Sequence, residues 1–115
     1  MKNSQDLTIA DYAKALKSLP KITNAQKELL CAHCNLLSTT MEDLGDDTGL
    51  STRGAASTYG RFARKIGLYL DNSPHRPNER HYWMEMICSR DKRDNQTIWI
   101  IRERFRKALE RANIV

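Results

Sequence analysis

Four groups of side chains in this sequence are of types that could do chemistry. Cys31-Ala32-His33-Cys34 holds two thiols and an imidazole within one helical turn. A Cys-x-x-Cys pair is half of a tetrahedral zinc site. Glu42, Asp43, Asp46 and Asp47 crowd carboxylates into a short stretch. Paired carboxylates hold Mg²⁺ or move protons. Arg53, Ser57, Arg61 and Arg64 recur at spacings of 4, 4 and 3, flanked by Thr58 and Lys65. On a helix that spacing gathers them on one side. Forked guanidiniums and small hydroxyls there suit phosphate oxygens and base edges. Arg90, Lys92 and Arg93 form a second, shorter cationic cluster.

The first two groups lack the rest of a site. A structural zinc centre needs two more ligands, and no second Cys-x-x-Cys or paired His motif follows. His75, His81 and Cys88 would have to converge from far along the chain. Cys31 and Cys34 also lie in a helical pattern, where i and i+3 are ordinary neighbours and a thiol packs as a small hydrophobe. A thioredoxin-like motif would follow a strand in a βαβ unit. The four carboxylates share one short helix, with Glu42 and Asp43 in the first turn, where they favour the macrodipole. A solvated acidic face is expected there; the alternatives are that the cluster repels DNA from the wrong side or binds a basic partner. No Gly-rich phosphate loop, HExxH, nucleophile elbow or His-Asn-His nuclease core is visible. The expectation is a chain that is not an enzyme and takes no cofactor and no metal.

The two cationic groups gain weight from the charge distribution. Residues 1–47 hold five Lys and no Arg against seven Asp or Glu, a net of −2. Residues 48–115 hold 14 Lys or Arg against seven acids, a net of +7. From Thr48 to Leu70 there is no acidic residue at all. A merely solvated helix mixes both signs, whereas a phosphate-facing one excludes carboxylates. The 115 residues, 40% hydrophobic and 29% charged, fit one globular domain. No apolar run reaches the roughly 20 residues of a membrane span. The N-terminus is polar with no apolar stretch behind it, so no secretory signal is expected. Three cysteines, an odd number, argue against a disulfide framework. A cytoplasmic protein without a membrane partner is expected.

Several elements would position these side chains. Thr8 with Asp11 and Thr23 with Gln26 are capping boxes. They predict a helix ending at Pro20, with Ile9, Tyr12, Ala13, Leu16 and Leu19 inward, and a second with Leu29, Leu30, His33, Leu36 and Leu37 on one face. Residues 1–37 read as a helical scaffold. Ser38 to Gly49 predicts a short helix stopped by glycine, and Ser51 caps a long helix, Thr52 to Leu70. A short helix, a Gly turn and a longer helix make a helix-turn-helix over residues 38–70. Ala55, Ala56, Tyr59, Phe62, Ala63, Ile66 and Leu70 are the inward stripe of the second helix. Asp71 to Arg80, with Pro74 and Pro77, reads as a loop. Tyr82–Ser89 and Thr97–Ile101 read as strands joined by a charged loop, a β-hairpin wing over residues 82–101. Residues 102–113 form a closing helix with Phe105, Ala108, Leu109 and Ala112 inward.

One family shares this pattern. Leu7-Thr8 through Asp11-Tyr12, Ala15-Leu16 to Leu19-Pro20, Gln26, Leu29-Leu30, His33, Thr40-Met41, Leu44, Gly49 and Ala55-Ala56 carry most of it. Tyr59-Gly60-Arg61, Trp99-Ile100-Ile101-Arg102 and Ala108-Leu109-Glu110 complete it. Their order resembles the winged-helix-like helical domain N-terminal to HNH-type endonuclease modules in bacterial restriction proteins. The resemblance spans nearly the whole chain, with Tyr59-Gly60-Arg61 its most characteristic part. It implies a DNA-associated role in restriction and defence. The nuclease module has no counterpart here, so the sequence fits an excised domain, a stand-alone regulator or a phage protein countering host defence.

The expectation is therefore a mainly α, winged helix-turn-helix-like single domain with a small β-hairpin, binding double-stranded DNA. Arg53, Ser57, Thr58, Arg61, Arg64 and Lys65 would contact it from the long helix, and Arg90, Lys92 and Arg93 from the wing. The rival expectation is a protein-interaction module that meets an acidic partner, or inhibits a nucleic-acid-binding defence complex, through the same basic face. The acidic and basic halves also permit a homodimer. RNA binding fits less well, because no aromatic stacking platform is apparent.

Overall fold

The computed structural model describes residues 7–19, 21–70 and 83–115. Helix α1 (Ile9–Ser18) begins where both halves of its capping box close. The Asp11 amide donates to the Thr8 hydroxyl at 3.1 Å, and the Thr8 amide donates to the Asp11 carboxylate at 2.9 Å. Helix α2 (Asn24–Leu36) starts the same way from Thr23 and Gln26. These reciprocal bonds satisfy donors that a helix start otherwise leaves open.

Helix α2 ends differently from expectation. Leu36 and Leu37, expected inward, are 44% and 49% exposed. Leu37 adopts φ 65° and ψ −51°, which swings the chain out of the helix. Its amide still donates to the His33 carbonyl at 2.7 Å, and its own carbonyl receives the Ile101 amide at 3.0 Å. The turn delivers strand β1 (Ser38–Thr39), where the sequence predicts the start of the following helix. That helix, α3 (Met41–Thr48), begins one residue after its cap Thr40. Helix α4 (Thr52–Tyr69) follows, then a single 3₁₀ turn (Met84–Met86), strands β2 (Cys88–Arg93) and β3 (Gln96–Ile101), and helix α5 (Glu103–Arg111).

The first strand of the wing is shorter than expected. The expected strand Tyr82–Ser89 is instead a helical turn from Trp83 to Met86, with the strand starting at Cys88; Tyr82 lies outside the described residues. Trp83, Met84, Met86 and Ile87 are all buried. Consecutive apolar side chains suit a turn sunk in the core and defeat the in–out alternation of a half-exposed strand. The segment expected as a charged loop is mostly strand. Only Asp94 and Asn95 turn, with φ of 50° and 66°. Two consecutive residues at positive φ make a tight primed hairpin turn, which Asp and Asn tolerate. The expected loop Asp71–Arg80 lies outside the described residues.

The sheet is antiparallel in the order β1-β3-β2. Cys88 opposes Ile101, Arg90 opposes Trp99 and Lys92 opposes Thr97. Thr39 of β1 opposes Trp99 from the other side. The succession α2-β1-α3-α4-β2-β3 with this strand order is a winged-helix arrangement, and α1 and α5 pack against each other beside it. The core joins all the layers. Phe105 of α5 meets Tyr12 of α1 edge-on at 5.2 Å and Phe62 of α4 at 6.2 Å. Fully burying side chains of this size contributes about 1.5–3 kcal/mol each. Arg102 anchors the start of α5, donating from Nε and a terminal nitrogen to the Glu85 carbonyl at 3.1 and 2.9 Å.

Candidate nucleic-acid interface

The turn between α3 and α4 sets the orientation of the long helix. Gly49 ends α3 with φ 78°, and the Leu50 amide donates to the Gly45 carbonyl at 2.9 Å. Ser51 then caps α4 by accepting from the Gly54 amide at 2.9 Å. Gly45 makes the turn this tight, since a Cβ there would lie 2.5 Å from the Leu50 carbonyl oxygen. The close approach fixes which face of α4 turns inward. Ala55, Tyr59, Phe62, Ala63 and Ile66 are buried, with Gly60 and Gly67 beside them.

The opposite face carries the expected cations. Arg53, Arg61, Arg64 and Lys65 are exposed, while Ser57 and Thr58 are half-buried. Arg53, Arg61 and Lys65 have no ion pair among the described residues. The Arg64 guanidinium lies 5.9 Å from the centre of the Trp83 ring, a cation–π arrangement that restrains it without neutralising it.

The wing does not present its three cations together. Pleating places Arg90 and Lys92 on the face shared with Trp99 and Thr97, and sends Asp91 and Arg93 to the other. There the Arg93 Nε donates to the Asp91 carboxylate at 3.0 Å. The other oxygen of Asp91 receives the Lys92 amide at 2.8 Å. Both groups are exposed, so this pair contributes little stability but cancels local charge.

Between α4 and the wing is a notch of about 540 Å³. Met41, Met84 and Trp99 line it with apolar surface, Thr52, Ala56 and Ser57 form its α4 side, and Arg53 and Arg90 also border it. Glu42 lies next to this region, lining a smaller hollow of about 200 Å³ with Thr52 and Thr97. The acidic residues of α3 therefore do not all face away from the cationic surface.

Beneath the surface, His33 ties helix to wing. Its Nε2 is 3.0 Å from the Trp99 carbonyl, which can only accept, so Nε2 carries the proton. In the neutral ring Nδ1 then accepts from the Tyr59 hydroxyl at 2.7 Å. Burial holds the imidazole pKa below its ordinary 6.5, opposed in part by the bond to Trp99. Burial also pushes the Tyr59 phenol well up and raises the neighbouring Cys88 thiol.

This bonding separates the members of Cys31-Ala32-His33-Cys34. Both nitrogens of His33 are engaged in the core, Cys31 is exposed, and Cys34 is half-buried with its thiol raised to about 11 by burial. Among the described residues no group of three or more His, Cys, Asp or Glu is placed to hold a metal ion. No helix among them is long and apolar enough to cross a membrane. His33 to Tyr59, Gly45 and the notch were not legible as site features in the sequence, because each depends on residues brought together from different elements.

Comparison with family models, with curated proteins and with solved structures finds no match to this chain.

Proposed function

We propose that this domain binds double-stranded DNA through α4 and the wing, without catalysing a reaction. The observation that carries the reading is the exposed cationic face of α4, acid-free along its length and mounted on a winged helix-turn-helix. An α4 of 18 residues is about 27 Å long and of a width that a major groove accepts. Arg53, Arg61, Arg64 and Lys65 would meet phosphates or guanine edges, with Ser57 and Thr58 between them. Lys92 would reach the backbone from the wing, with Arg90 on the same face, while Arg93 would first have to leave Asp91. The sequence resemblance to domains joined to HNH nucleases points toward restriction, defence or its regulation. The direct test is titration of a fluorescent duplex with the native protein and with an Arg61→Glu, Lys65→Glu variant. Binding by the native protein and its loss in a folded variant support the reading. A native protein that ignores duplex at low salt contradicts it.

A second reading is favoured by Leu37. A leucine held at positive φ yet 49% exposed borders a groove of about 880 Å³ between α1, β3 and α5, whose margin carries Arg106 and Lys107, both paired at 3.6 Å with Glu103 of the same margin. In this reading the protein docks a partner through this apolar groove, with the cationic face of α4 meeting acidic groups of the same partner. Duplex titration separates the two, because only the first predicts binding to DNA alone.

A further inference from the structure

We propose that the notch between α4 and the wing receives the 5-methyl edge of a pyrimidine in the major groove, supplied by thymine or 5-methylcytosine. The inference rests on the DNA-binding reading and names the chemistry that site would recognise. Most base edges in the major groove present hydrogen-bond donors and acceptors; the thymine methyl is the apolar exception. The notch is suited to that exception. Its floor is apolar, chiefly the half-buried Met41, with Met84 and Trp99 buried beneath it. A carbonyl or amino group pressed against such a floor would lose water without gaining a partner, whereas a methyl group gains by leaving water.

The walls agree with the floor. Ala56 keeps the α4 side low, so the helix can come close to a base. Thr52 and Thr97 add a methyl group each and a hydroxyl that can turn to a neighbouring polar edge. Arg53 stands at the border and has no ion pair among the described residues, leaving its fork available to an adjacent guanine or phosphate. An extruded base fits less well, since Trp99 is only 4% exposed and offers no free ring face for stacking.

The test alters the DNA and leaves the protein intact. A preferred duplex is selected from a randomised pool, and anisotropy titrations follow with each thymine replaced in turn by uracil and each cytosine by 5-methylcytosine. The expected result is one position where removing the thymine methyl weakens binding about fourfold, the factor for one buried methyl group. Reading of 5-methylcytosine would instead strengthen binding by a like factor at one cytosine. The folded Ala56→Gln variant, with a longer side chain in the notch, should lose that discrimination between methylated and unmethylated duplexes whatever its overall affinity. Native protein that binds the selected duplex tightly but is indifferent to every methyl change overturns the inference and leaves the DNA reading standing. Absence of duplex binding overturns both.

Discussion

The Nδ1 of His33 lies 2.7 Å from the Tyr59 hydroxyl, joining helix α2 to the middle of helix α4. Through Nε2 the same ring holds the Trp99 carbonyl of β3. One neutral imidazole thus spans the scaffold, the long helix and the wing. A protonated ring would carry a donor on Nδ1 as well, and the Tyr59 hydroxyl would have to reverse its bond.

The fold should therefore weaken in mild acid. His33 has a lowered pKa in the folded chain and titrates near 6.5 once unfolded. Its contribution is complete above 6.5 and is lost as pH falls below that value toward the folded pKa, at no more than about 1.4 kcal/mol per pH unit. Thermal melts across this range should show the native protein losing stability faster than His33→Gln, which should be less stable at neutral pH. Parallel curves for the two proteins would remove His33 from the account.

The turn before α4 should tolerate Gly49 changes better than Gly45 changes. Gly49→Ala meets open space but an unfavourable φ of 78°, a cost of about 1 kcal/mol. Gly45→Ala must move backbone that lies 2.5 Å from the new Cβ, costing about 1–3 kcal/mol or more. Leu37→Gly should raise stability by about 1 kcal/mol by relieving a positive φ. Denaturation midpoints of the three variants give the order directly.

These local features differ in how far sequence could reach them. Thr8, Thr23 and Ser51 cap their helices as their neighbours dictate, and Gly49 stops α3, because capping is settled within three or four residues. The apolar run from Tyr82 to Ser89 misleads, since a short apolar run fits a buried turn as well as a strand. Strand β2 is polar after Cys88 and is recognisable only through its pairing with β3. The two residues of β1 are too few to carry a pattern. The cationic residues of the candidate interface were all legible on α4, where helical spacing alone sorts them. Their division on the wing was not, because it depends on the register of Arg90 against Trp99.

That division predicts unequal wing contributions. Lys92→Ala should weaken duplex binding more than Arg93→Ala, since Arg93 is already paired with Asp91. Asp91→Asn should strengthen binding modestly by raising the wing's net positive charge and releasing Arg93 from its ion pair. Equal losses at Lys92 and Arg93 would contradict this division, and no loss at Lys92 with no gain at Asp91 would place the wing away from the DNA.

The thiols should divide by burial. In the native protein Cys31 should react first with a maleimide, Cys34 more slowly with its thiol near 11, and Cys88 only on unfolding. Mass spectrometry of the labelled peptides gives the order, and early labelling of Cys88 would contradict the burial of its thiol 3.9 Å from the His33 Nδ1.

The central claim is a phosphate-facing surface on α4 and the wing, and the salt dependence of duplex binding tests it most directly. If roughly four to six phosphates are neutralised, log K should fall against log salt with a slope of about −4 to −5, and single losses such as Arg61→Ala should each shallow that slope by about 1. A flat salt response, or no binding to duplex at low salt, would contradict the account.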